Sequence, residues 1–257
     1  MTELMTQLTA LSGLSRDWFL TAFMVFLRVG AMMALLPAFG EQTIPARVRL
    51  VLALAFTAVS APAVADRIPP LNNALPFLTE MAAGLLLGIG LRLFVHSLQI
   101  AGTIIAQSTS LSQLFGGLDA DPLPAIGTIL TVAGLALALS LGLHVRAAEL
   151  IILSYDILPA GDLPLAADVA SWGVAQIAHI FALAFSLSAP FMIASLIYNL
   201  ALGVINRAMP QLMVAMIGAP ALTFGGLGLL AVMAPLALSV WVAAMGQFLD
   251  APFTVPR

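Results

Sequence analysis

Polar residues are sparse along this chain, and their positions divide it into a few long apolar runs. The first, from about Trp18 to Leu36, is interrupted only by Arg28 and stopped by Pro37. The second, Leu50 to Ala65, carries no charge and at roughly 16 residues is short for a hydrocarbon core about 30 Å thick. The third begins near Phe77 and keeps a helical pattern to about Ser110, which is about 50 Å of helix and must tilt, break or protrude. The fourth runs from Pro124 to Leu143 and on past His144, Arg146 and Glu149 to Tyr155, with Arg146 and Glu149 spaced to pair at i, i+3. Two charge-free runs follow, Val169–Asn206 and Ala208–Leu249, separated by Arg207 alone. They predict a long antiparallel hairpin turning near Asn206–Pro210, with Pro190, Pro220, Pro235 and Gly225–Gly228 as weak points. Residues 1–16 read as a short interfacial helix, and the segments 38–49, 66–76 and 156–168, punctuated by Pro, Gly or Asn, read as loops.

Composition turns this pattern into a class. The hydrophobic fraction is 61 % and the charged fraction 8 %, against about 25 % charged in soluble domains, and the mean hydropathy is +1.09. Most of this surface is not solvated by water, and an all-α polytopic membrane protein of about six long helices is expected, as one bundle without a soluble domain. The first run is longer than a signal-peptide core of about 7–15 residues and is read as a retained span. Arginine bias places Arg47, Arg49 and Arg207 inside, the 156–168 loop outside and both termini outside.

The same inventory narrows the chemistry. No cysteine is present, which excludes disulfides and thiolate sites. All nine basic residues are arginine, so there is no Schiff-base or P-loop lysine. His96, His144 and His179 fall in separate runs without metal-ligand spacing, and neither a G-x-S-x-G elbow nor a nucleotide-binding loop occurs. No catalytic constellation, cofactor or metal is expected, and no basic patch suggests nucleic acid. Asp119 and Asp121, one residue apart before Pro122, read as a loop cap.

What remains is polarity at membrane depth. An arginine at a helix centre costs about 2.5–3.5 kcal/mol on insertion scales, so Arg28 needs compensation from a partner such as Glu80, from backbone carbonyls or from an aqueous lumen. Glu80, Gly84 and Gly88 share a face, and the two glycines let a neighbouring helix approach closely. Arg92, His96, Gln99, Thr103, Gln107 and Ser110 recur every three or four residues and form one polar stripe. Such a stripe must face protein or water: a packing seam, a permeation wall and a proton relay all fit. Past the stripe lies a Ser/Gly-rich loop, Ser108 to Leu118, carrying Leu111, Leu114 and Phe115 beside Gly116 and Gly117. Met209, Met213 and Met216 follow Arg207 at helical spacing, as core filling or as a flexible gasket.

Three blocks resemble the flagellar biosynthetic protein FliR family, whose injectisome relatives form the SctT group. They are Arg28–Phe56, with an intramembrane Arg, a Pro-x-x-Gly turn and an Ile-Pro before arginine; Glu80–Pro122, with its Gly-rich helix, Ala101–Gly102 and Asp-Pro ending; and Arg207–Pro220, RAMPQLMVAMIGAP. They occur in family order across most of the chain. Departures are Thr103 where members often carry Glu, Met213 where Asn is frequent, and Thr109–Ser110 where a Met-Gly pair is common. The resemblance implies a non-enzymatic subunit of the type III export gate in the bacterial inner membrane, at the flagellar basal body. It implies a FliP-like part, residues 1–165, fused to a FliQ-like hairpin, residues 166–257, with long tilted helices. Its partners would be FliP-like and FliQ-like subunits, FlhB-like and FlhA-like components, lipid and unfolded substrates. By the same resemblance, the loop containing Ser108, Ser110, Leu111, Leu114, Phe115, Gly116 and Gly117 plugs the closed pore, and Arg28, Glu80, Arg207, Pro210 and Gln211 serve assembly. An autonomous six-span transporter using Arg28, Glu80 and Arg92 is the rival, and its mark would be an internal repeat with paired broken helices.

Overall fold

The computed structural model describes residues 2–41, 43–69, 74–109, 125–209 and 214–254, with the backbone alone for 2–17 and 214–220. The helices are α1 (Thr2–Met33), α2 (Ala46–Val64, extended by a 3₁₀ turn, Ala65–Arg67), α3 (Leu75–Thr109), α4 (Ala125–Ser140), α5 (Leu143–Ile157), α6 (Ala166–Ala208) and α7 (Val214–Asp250). Among the described residues there is no strand. The protein is all-α and polytopic. Helix α2 with its 3₁₀ turn, α3, α6 and the 221–250 part of α7 are each long and apolar enough to cross a bilayer, and α4 with α5 adds a fifth span if counted together. With 35, 43 and 37 residues, α3, α6 and α7 run to about 52, 65 and 55 Å at 1.5 Å per residue, well beyond the hydrocarbon thickness.

Several boundaries differ from the sequence pattern. No separate interfacial helix precedes the first span: α1 is continuous from Thr2, because a single Arg16–Asp17 step with no proline does not interrupt the backbone hydrogen bonds. It stops at Met33, short of Pro37, and the chain reverses through turns in which Leu36 N–H donates to Met32 O (2.9 Å) and Gly40 N–H to Leu36 O (2.7 Å). Helix α2 starts directly after Pro45, so Arg47 and Arg49 lie in its first turns and not in a loop. The fourth run breaks at Leu141–Gly142, where Gly142 has φ 84°, a left-handed conformation that hydropathy does not reveal and that glycine alone adopts without a Cβ penalty. The hairpin turn falls after Ala208, within the expected Asn206–Pro210 stretch. Helix α6 is continuous through Pro190, and α7 through Pro235 and Gly225–Gly228.

The chain divides into two compact units. The first comprises residues 1–92, 141–173 and 248–254. Its core is α1 (Met24, Val25, Val29, Met32) with inward residues of α2, α3 and α5 such as Val64, Leu87, Leu91 and Ile151. Gly84 and Gly88 allow α1 to lie directly on α3: a Cβ at Gly84 would meet the Arg28 carbonyl oxygen, and one at Gly88 would lie 3.0 Å from both Leu35 Cβ and Met32 O. The carboxy-terminal segment is tied to α6 by Trp172, whose indole N–H donates to Pro252 O (2.8 Å) while its ring packs on Phe253. Arg146 pairs with Asp250, not with Glu149 as its spacing suggested, so the arginine staples the chain end in place of its own helix.

The second unit comprises residues 93–140 and 174–247. Ile105, Leu130, Phe191 and Leu230 form a cluster joining α3, α4, α6 and α7. Gly102 and Gly127 bring α3 and α4 into backbone contact. Trp241 of α7 is fully buried and donates its indole N–H to Phe94 O (2.8 Å), which also accepts from Ser97 Oγ (2.7 Å). Outward faces of α6 and α7 carry Leu196, Leu200, Phe224 and Val232, suited to lipid or to other apolar helices.

Candidate functional site: a buried ion-pair network and a polar helix face

Within the first unit, Arg28 of α1 and Glu80 of α3 face each other at 0 % residue exposure. The close approach permitted by Gly84, one turn beyond Glu80, sets their separation. Arg28 Nε donates to Glu80 Oε2 (2.8 Å) and Nη2 to Oε1 (2.9 Å), a two-point carboxylate–guanidinium fork. Nη1 donates to Ser154 Oγ (2.9 Å) and Nη2 also to the carbonyl of Leu158 (2.8 Å), just past the end of α5. Tyr155 adds two contacts: its hydroxyl donates to Glu80 Oε2 (2.7 Å), and its ring lies 3.6 Å beneath the Arg28 guanidinium carbon. Ser154 Oγ donates onward to Ile151 O (2.6 Å). The Gly161 N–H, at φ 90°, donates to Thr79 Oγ1 (3.1 Å), pinning the loop after α5 to α3.

Of the compensations open to Arg28, the structure shows a carboxylate and a backbone carbonyl, and the enclosed guanidinium has no face toward a lumen. Removing two charges from water is expensive, and such a pair holds when remaining donors and acceptors are also bonded. Here Ser154, Tyr155 and Leu158 O perform that task. Sequence reading missed all three. The available signal was a Ser-Tyr pair at the end of an otherwise apolar run.

The polar stripe divides. Arg92 is held by Glu41, with Nη1 2.5 Å from Oε1 and Nη2 3.4 Å from Oε2, a partner not anticipated from sequence. Beyond it, His96 and Gln107 are exposed and Gln99 and Thr103 partly so, while Phe94, Val95, Leu98, Ala101 and Ile105 are buried. The stripe thus lies on the outward face of α3 within its unit. Its groups are locally bonded: His96 Nδ1 lies 2.9 Å from Gln99 Oε1, and Thr103 Oγ1 donates to Gln99 O (2.9 Å). Ser108, at the helix end, donates to Ile105 O (2.8 Å). Arg207 is exposed in the last turn of α6, where a cation complements the helix dipole. Ser110, Leu111, Leu114, Phe115, Gly116, Gly117, Pro210 and Gln211 lie outside the described residues.

Apolar helices longer than a bilayer, a fully buried Arg–Glu pair and a polar helix face on the unit's exterior define an integral α-helical membrane protein that offers an unusual polar surface to its surroundings. The family model of bacterial export proteins, family 1, matches residues 19–248, and the chain belongs to that family. Among curated relatives, the flagellar biosynthetic protein FliR of Caulobacter vibrioides is 35 % identical over 236 residues, covering 89 % of this chain and 94 % of its own. The FliR protein of Escherichia coli K12 is 30 % identical over 240 residues, covering 90 % of each chain. That of Bacillus subtilis 168 is 28 % identical over 217 residues, covering 79 % and 82 %. The three-block resemblance to the FliR family agrees with these matches.

Proposed function

We propose that this bacterial export protein is a core subunit of the type III protein export gate at the base of the flagellum, in the inner membrane. The observation that carries the reading is the family match across residues 19–248, joined to relatives that bear the name flagellar biosynthetic protein FliR along nearly their whole length. With FliP-like and FliQ-like subunits the chain encloses a conduit for unfolded flagellar substrates, and FlhB-like and FlhA-like components join it. Residues 1–165 supply a FliP-like part and 166–257 a FliQ-like hairpin. The role is architectural, with energy supplied elsewhere. The outward polar face of α3, from His96 to Gln107, supports a surface that meets water or protein. The segment from about Ala106 to Pro122 closes the resting pore, with Leu111, Leu114 and Phe115 excluding water and ions.

Deleting residues 110–118 tests this. The assembled complex, reconstituted in planar bilayers, is expected to conduct ions while the parent stays closed, with unchanged subunit composition. A deletion variant that assembles and remains as tight as the parent refutes the plug.

A further inference from the structure

Between α6 and α7, within the second unit, a cavity of about 260 Å³ is lined by Phe191, Tyr198, Leu222, Gly225 and Leu229, with Thr109 of α3 on one side. It is reached from outside, since Ala221 and Gly225 in its wall are exposed. An apolar cavity of about 150 Å³ already takes up a benzene ring, so this one has room for an aromatic side chain. The rings of Phe191 and Tyr198 favour an aromatic occupant, through edge-to-face or offset packing. A Cβ added at Gly225 meets nothing within 4 Å, so α7 itself leaves this space open.

The chain comes to this cavity from two sides. Thr109, the last described residue before the segment 110–124, rests on α7: a Cβ at Gly226 would lie 2.5 Å from its Cγ2. The described chain resumes at Ala125, and Ile126 packs against the cluster that contains Phe191 of the cavity wall. The segment is therefore tethered at both ends beside the cavity. Its one aromatic residue is Phe115, within about 20 Å of extended chain from Thr109. A group on so short a tether is presented at an effective concentration on the order of millimolar.

We propose that this cavity is the docking site for the Phe115 ring, which anchors the 110–124 segment to the α6–α7 hairpin. The anchor does not depend on pore closure: it concerns where the segment is held, and a cross-link reads it without any measurement of conductance.

The test places p-azidophenylalanine at position 115 of the full chain in native membranes. After illumination, cross-linked peptides are mapped by mass spectrometry, with yields normalised to the amount of chain in the membrane. The expected product joins position 115 to the cavity wall, at Phe191, Tyr198, Leu222 or Leu229 of the same chain. Gly225→Phe, whose added Cβ is unopposed, fills the cavity and removes that product, because one such volume does not hold two rings. Gly225→Leu, a smaller filler, lowers the yield. Gly228→Phe is equally unopposed but lies outside the cavity wall, and leaves the yield unchanged. Products confined to other parts of this chain, to another subunit or to lipid overturn the proposal, as does the absence of any product. Cross-linking to the wall that survives both Gly225 substitutions also overturns it.

Discussion

Replacing Glu80 with methionine strips Arg28 of two of the four hydrogen bonds it donates and leaves a positive charge fully enclosed between α1 and α3. Breaking a buried pair by removing one partner costs about 3–5 kcal/mol, or two to three and a half decades in the folded-to-unfolded ratio. Arg28→Met strands Glu80 with the Tyr155 hydroxyl as its remaining described donor and costs a similar amount. The Arg28→Met/Glu80→Met double variant removes both charges and fills the space with apolar volume, which is often neutral or even stabilising. The double variant therefore lies far below the sum of roughly 6–10 kcal/mol from the single variants. Unfolding of the purified chain in mixed micelles of rising dodecyl sulfate fraction, followed by fluorescence of Trp172 and Trp241, measures all three variants. Single variants within about 1 kcal/mol of the parent, or a double variant costing the sum, refute the network as the organiser of the first unit.

Two further substitutions probe the same region by the same assay. Tyr155→Phe keeps the ring under Arg28 but removes the donor to Glu80 Oε2, and is expected to cost about 1.5–3 kcal/mol; Tyr155→Leu costs more because the cation–π contact also goes, and a Phe variant equal to the parent contradicts the assignment. Gly84→Ala drives a Cβ into the Arg28 carbonyl oxygen and to 2.9 Å from Ala31 Cβ, so overpacking of about 1–3 kcal/mol is expected, with none if α1 and α3 are not in direct contact.

Class and element order were legible because the bilayer imposes them: long charge-free runs become helices wherever no water can satisfy the backbone. Glu80 was legible as a partner for Arg28 because a membrane-depth charge demands one and few acids are near. Tyr155, Ser154 and the Leu158 carbonyl were not, since they come from α5 and the residue just past it, 126–130 positions away in sequence, and only tertiary packing brings them to Arg28. The break at Gly142 was hidden because a single left-handed glycine leaves hydropathy unchanged. The polar stripe was legible as a periodicity, but the removal of Arg92 from it depends on Glu41 folding back from the connection after α1. Periodicity tells which residues share a helix face; it does not tell which loop that face will meet.

Affinity purification of the tagged chain from native membranes in mild detergent, with subunits identified by mass spectrometry and complex mass measured by native methods, tests the central claim most directly. An export-gate subunit is recovered in a large complex with two other small hydrophobic subunits, FliP-like and FliQ-like. A lone monomer or homodimer, obtained under conditions that keep a known gate complex intact, contradicts the account and restores the autonomous transporter.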